Sequence, residues 1–254
     1  QPSPNERGYF GVYELEDIST HMSFLEMLDV LNEQLIGRGE EPVAFDHDCR
    51  EGICGTCGVM INGRAHGPQK ATATCQLHMR EFSDGDEIVI EPFRAAGFPV
   101  VRDLVVDLDG FMDKFKKVKP WIVRAKEEAA SESFNAKGTY SQTPEELGVF
   151  KQFSMCINCL LCYSACPVVA NEPEFIGPAA IALGHRYNLD SRDEGSAERN
   201  ETFRGEGTVF SCSFANECSE VCPKNVDPAG AIQQYKATAT TDWFKSFIMP
   251  RGAE

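Results

Sequence analysis

The cysteines constrain this chain more than any other feature. All eleven fall into three groups of fixed spacing. Cys49, Cys54 and Cys57 read C-x4-C-x2-C, and Cys75 follows. Cys156, Cys159, Cys162 and Cys166 read C-x2-C-x2-C-x3-C-Pro. Cys212, Cys218 and Cys222 repeat that frame, but Ala215 takes the place of its second cysteine. Thiols crowded at this spacing suit a metal or an iron–sulfur cluster. The odd total, and a start (Gln1-Pro2-Ser3-Pro4-Asn5) without a secretory signal, argue against a disulfide framework. A reducing interior keeps such thiols available to iron.

The first group has the plant-type ferredoxin arrangement, in which four thiolates hold a 2Fe–2S cluster. Gly52, Gly55 and Gly58 are interleaved with Cys49, Cys54 and Cys57. Glycine permits tight left-handed turns and leaves backbone N–H groups free to face sulfur. The alternative is a four-cysteine zinc site, although zinc favours paired C-x2-C knuckles and this group has one such pair. The second and third groups together follow the bacterial two-cluster pattern, where the fourth cysteine of each run ligates the other cluster. On that pattern Cys156, Cys159, Cys162 and Cys222 hold a 4Fe–4S cluster. Cys166, Cys212 and Cys218 hold the other. The Ala215 methyl cannot bind iron, so a 3Fe–4S cluster is expected there. A four-iron cluster with water or an oxygen ligand at the vacant corner is the alternative. Pro167 and Pro223 turn the chain away directly after the crossing cysteines.

The remaining sequence frames these sites. The net charge of −15 argues against nucleic acid as a partner. No apolar stretch approaches the roughly 20 residues that span a bilayer. Residues 9–15 and 43–45 are expected as strands, and 58–61 as a strand entering an Asn62-Gly63 turn, with another at 88–90. Ser23 and Glu26 form a capping-box pattern ahead of Leu25, Leu28, Leu31 and Leu35 at helical spacing, with Gly37 able to end the helix. Thr143-Pro144-Glu145-Glu146 starts another helix, and 178–187 and 228–235 also read as helices. Three parts result: a strand-rich domain (1–100), a linker (101–140) and a helical domain (141–254). The basic run 115–119 reads as a solvated face, with a contact to acidic partners or lipid headgroups as the alternative. His47 and His185 read as structural, since every cluster position is already filled. There is no Ser–His–Asp set, P-loop or dinucleotide GxGxxG.

The cysteine order, the vacancy at Ala215 and the stretches NEPEFIGPAAIALGHRYNLDSRD (171–193) and CSEVCPKNVDPAGAIQQ (218–234) resemble the iron–sulfur subunit of succinate dehydrogenase and fumarate reductase, both stretches most of all the fumarate reductase branch. The resemblance spans essentially the whole chain. It implies an α+β protein: an N-terminal β-grasp ferredoxin domain followed by an all-α helical ferredoxin domain. It also implies a complex with a flavoprotein subunit carrying FAD and with membrane anchors, some bearing haem b. Electrons then move between a dicarboxylate site and a membrane quinone, in the order FAD, 2Fe–2S, 4Fe–4S, 3Fe–4S, quinone or haem. The chain itself is expected to sit peripherally on the cytoplasmic face of the inner membrane. Pro167, Phe214 and Lys236, with Gln233 nearby, match positions at the family's quinone pocket.

The chain departs from the commonest members in several places. Val168, Val169, Ala170 and Ser213 stand where ubiquinone-using members often carry tryptophan and histidine, which favours menaquinone. The segment between Cys57 and Cys75 is longer than usual and is expected as an extended loop over the first cluster. The family also has a first strand just upstream of Gln1, without which the β-domain lacks an edge. Two further readings stay open: an iron–sulfur wire for a glycolate- or heterodisulfide-type oxidoreductase, and a structural zinc protein.

Overall fold

The computed structural model describes residues 8–93, 95, 97–124 and 140–248. In the first half, Ser23 Oγ accepts from the Glu26 amide at 3.3 Å and Glu26 returns the bond to the Ser23 amide at 2.6 Å. This closed capping box starts helix α1 (Phe24–Gly37). Leu25, Leu28, Leu31 and Leu35 form its buried stripe, and Gly39, at φ 73°, turns the chain after it. Strands β1 (Met60–Ile61) and β2 (Arg64–Ala65) form a hairpin. Asn62 and Gly63 both take positive φ (49° and 74°), as its tight turn requires. Strand β3 (Ile90–Glu91) pairs antiparallel on the other side of β1, giving the order β2-β1-β3. Helix α1 and Val59, Ile61 and Leu77 share one core with Cys57 and Cys75.

Three expected strands change. Residues 9–15 form no strand; Tyr9 and Val12 are 93% and 94% exposed. A strand is stable only with a hydrogen-bonded neighbour, and none pairs with this segment among the described residues. Residues 43–45 form no strand: their one backbone partner is Leu104, whose amide donates to the Ala44 carbonyl at 3.1 Å, and side chains supply the other bonds described. The Asn32 amide brackets Val43 through both its oxygen and its nitrogen, at 2.8 and 2.9 Å, and Asp103 accepts from the Ala44 amide at 2.8 Å. The strand expected at 88–90 shifts to β3, since Val89 N–H turns to the Asn62 side chain.

A second hairpin, β4 (Val100–Arg102) with β5 (Val105–Val106), leads into helix α2 (Asp109–Lys117). The described part of the expected linker is packed against the helical half; 125–139 lie outside the described residues. Phe111 and Val118 are buried, and Phe111 meets Tyr163 edge-on at 5.4 Å. Arg199 is fully buried, paired with Asp193 at 2.6 and 2.9 Å, and donates to the Lys119 and Trp121 carbonyls. These bonds pin 119–121 down. Within the basic run, Lys116 pairs with Asp113 and Lys119 with Glu198, which supports the solvated-face reading.

The second half is helical: α3 (Pro144–Phe150), α4 (Leu161–Ser164), α5 (Pro167–Asn171), α6 (Pro178–Asn188), α7 (Ser196–Arg204), α8 (Glu217–Glu220) and α9 (Pro228–Ile248). Thr143 caps α3 in a second closed capping box with Glu146. Helix α9 runs well beyond the expected end at 235, because the Ala/Thr-rich stretch that follows holds no Gly or Pro to stop it. There the hydroxyls of Thr238, Thr240 and Thr241 bond carbonyls one turn back. Helices α6 and α9 pack together, and the largest core joins both halves, with Met60, Phe93 and Phe98 against Leu161 and Tyr163.

Candidate metal centres

The first site is a loop tied to helix α1. Arg50 forks onto Asp29 at 2.5 and 3.0 Å, and the Gln76 amide donates to the Arg50 carbonyl at 2.8 Å. Those bonds hold the segment carrying Cys49 and Cys54 against the short helix that carries Cys75. The amides of Glu51, Ile53 and Cys54 all point at Cys49 Sγ, at 3.3 to 3.4 Å. Chiefly through the amides of Ile53 and Glu51, they lower the Cys49 thiol to about 7. Cys57 lies deeper; burial first, then charge on Cys75, pushes it up to about 12.

At the next two sites the two cysteine runs exchange their last members. Cys222 stands with Cys156, Cys159 and Cys162 around one cavity. Cys166 stands with Cys212 and Cys218 around a second. The Ala215 methyl lines the second cavity, in the place that Cys159 holds in the first. Burial pushes Cys159 and Cys218 up to about 12 and Cys162 well above its ordinary value. Bare thiolates are therefore costly here, whereas a coordinating metal deprotonates a thiol outright. Among the described residues, no group of His, Cys, Asp or Glu converges as a single metal ion would need. Four and three thiols arrayed around two separate cavities fit clusters better than single ions.

Three of the quinone-pocket candidates, Pro167, Phe214 and Lys236, gather at the third site. Pro167 and Phe214 line its cavity, with Phe214 largely exposed. Lys236 donates to the Cys212 carbonyl at 2.8 Å. Gln233 Nε2 is buried and has no hydrogen-bond partner among the described residues.

Two contributors carry no sequence signal. His66 lies within the segment expected as an extended loop, yet it is buried beside the first site. Its Nδ1 accepts from the Thr74 amide at 3.2 Å, so its proton sits on Nε2. Burial lowers its pKa to about 3. Burial raises Cys222, and the amides of Lys224 and Val226 oppose that rise together with the charge of Lys224, which lines the same cavity. His185 is buried in α6 against Gln234 and touches no thiol site, which fits its structural reading.

Comparison with known proteins agrees with this geometry. Residues 1–113 match the 2Fe-2S iron-sulfur cluster binding domain, and residues 152–226 the 4Fe-4S dicluster domain. A fumarate reductase iron-sulfur subunit of Mycobacterium tuberculosis is 47% identical, over 96% of this chain and 91% of the relative. The chain belongs to the family of iron–sulfur subunits of fumarate reductases and succinate dehydrogenases. A Haemophilus influenzae fumarate reductase iron-sulfur subunit is 39% identical, covering 99% of this chain and 94% of its own. A Coxiella burnetii succinate dehydrogenase iron-sulfur subunit is 32% identical, covering 92% of each. In fold, the chain is similar to a chain of the Mycobacterium smegmatis Sdh1 complex in the apo form, with a TM-score of 0.73, 24% identity, and 89% and 88% of the two chains covered. Membership makes this chain the electron-transfer subunit of an oxidoreductase, with 2Fe–2S, 4Fe–4S and 3Fe–4S clusters. It does not favour the glycolate-type, heterodisulfide-type or zinc alternatives.

Proposed function

We propose that this subunit relays electrons between an FAD-bearing dicarboxylate oxidoreductase subunit and a membrane quinone, with each cluster held by the thiols grouped above. Cys49, Cys54, Cys57 and Cys75 hold the 2Fe–2S cluster. Cys156, Cys159, Cys162 and Cys222 hold the 4Fe–4S cluster, and Cys166, Cys212 and Cys218 the 3Fe–4S cluster. When bound, these clusters take up and release single electrons. The protein's part is to place them, to exclude water and to stabilise their charge. The three amides on Cys49 Sγ stabilise negative charge at the first site. Lys224 does so beside Cys222. No helix among the described residues is long and apolar enough to cross a membrane. Contact with the membrane therefore falls to anchor subunits.

The quinone is placed against Pro167, Phe214, Gln233 and Lys236. Lys236 spends one of its three N–H donors on the Cys212 carbonyl, which leaves two for a quinone oxygen. Menaquinone, an anchor carrying haem b and a position on the cytoplasmic face of the inner membrane complete the proposal.

The observation that carries the assignment is the crossing, with Cys222 in the first cavity and Cys166 in the second. Serine substitution tests it in the purified complex. Cys222→Ser should alter the four-iron signal in electron paramagnetic resonance, and Cys166→Ser the three-iron signal. The opposite pattern would mean that each run serves its own cluster.

A further inference from the structure

The first and second sites meet along a backbone contact. Gly55, between Cys54 and Cys57, has φ 80°. A Cβ there would land on the Ile157 carbonyl oxygen and lie 3.0 Å from the Cys159 amide nitrogen. Gly58 directly follows Cys57 and is not among the residues with positive φ. A Cβ on it would come within 3.1 Å of the Cys159 carbonyl oxygen and 2.9 Å of the Phe93 ring. Two glycines thus flank Cys57, and both face backbone next to Cys159. Backbone conformation accounts for glycine at Gly55 but not at Gly58, where only the missing Cβ matters.

The contact continues on both sides. Ser164 Oγ lies 3.3 Å from Met60 Sδ, and Phe98 bridges Phe93 and Tyr163 by edge contacts at 5.4 and 5.8 Å. Lys70 reaches Glu220 across the seam at 3.0 Å.

We propose that Gly55 and Gly58 are positioning residues for electron transfer, whose bare Cα atoms let the Cys57 and Cys159 loops touch so that electrons cross between the first two sites at this contact. The inference rests on the function proposed above and names where its first internal transfer occurs. In each crossing one site loses one electron and the other gains it. No bond forms or breaks, and no proton moves. The geometry serves either direction.

The test compares Gly55→Ala and Gly58→Ala in the assembled complex, with Gly85→Ala as control. Gly85 has φ 81° and nothing within 4 Å of its Cβ site, so it carries the backbone strain without the contact. Three quantities are read: iron with the signal of each site, the magnetic interaction between the reduced first and second sites, and the rate of electron equilibration between them after rapid mixing with reductant. Gly58→Ala should keep both signals, weaken the interaction and slow equilibration several-fold. Gly55→Ala should do so more strongly, and Gly85→Ala should match the unaltered complex. Unchanged interaction and rate in Gly58→Ala, with both signals present, would overturn the inference. So would reduced first and second sites without magnetic interaction in the unaltered complex, a result independent of how well either variant assembles. Lack of both signals in the unaltered complex would instead overturn the proposed function.

Discussion

The two runs of cysteines in the helical half share one backbone mould and differ at one decisive side chain. Each begins after a short 3-10 helix, Phe153–Met155 in one and Val209–Ser211 in the other. Each then takes left-handed φ at two places, Asn158 and Leu160 in the first run, Phe214 and Asn216 in the second. Each enters a one-turn helix, α4 or α8, and closes on Cys-Pro. The mould is kept although Cys159 is matched by Ala215. Local backbone, set by turn geometry and packing, is therefore separable from the number of cysteines it carries, and on the proposed assignment that number sets how many irons a site accepts.

The largest test of that separation is to remove the difference. Cys159→Ala should convert the first run into a copy of the second, abolish the four-iron signal and stop electron flow to quinone. The fold should survive, as read by circular dichroism of the assembled complex. The reverse exchange, Ala215→Cys, should replace the three-iron signal with that of a four-iron cluster and lower the third site's potential. A redox titration followed by paramagnetic resonance checks both, and an unchanged three-iron signal would refute the vacant-corner account.

The first site has no such twin, and its support is a buried imidazole. His66 has a pKa of about 3 when folded, against about 6.5 when unfolded. As pH falls below about 6.5 the unfolded chain takes up a proton that the folded one refuses. Folding free energy from this group should thus fall by about 1.4 kcal/mol per pH unit between those values, with no effect above them. His66→Gln should flatten that slope, read as the acid midpoint for loss of the first site's visible absorbance.

The smallest effect concerns the left-handed positions. The two runs place asparagine at opposite members of the pair, and asparagine tolerates this conformation better than phenylalanine does. Phe214 is 55% exposed, so Phe214→Asn loses little burial and should stabilise the chain by about 1 kcal/mol in thermal unfolding. Asn158→Gly, in the other run, should be close to neutral.

What was legible in the sequence was whatever depends on neighbours along the chain. Ser23 with Glu26 and Thr143 with Glu146 form the capping boxes that their spacing implies, and Asn62-Gly63 makes the expected turn. The cysteine spacings place the thiols together because each loop is nearly self-contained. Even the exchange of Cys166 and Cys222 follows from a repeated local pattern. What was hidden depends on distant partners. Residues 9–15 have strand-forming side chains but no paired neighbour among the described residues. Asn32, Asp103 and Asn62 supply from far away the hydrogen bonds that a strand would have given 43–45 and Val89. The burial of His66 and Arg199, and the meeting of Gly55 with Ile157, arise only when separate segments pack.

The central claim is that three thiol groups of four, four and three build three different clusters. Low-temperature paramagnetic resonance of the anaerobically purified complex, oxidised and then reduced, with iron quantified, tests it most directly. The account predicts a three-iron signal when oxidised, two-iron and four-iron signals on reduction, and about nine irons per chain. Iron at that level or above without a three-iron signal in the oxidised complex would contradict it.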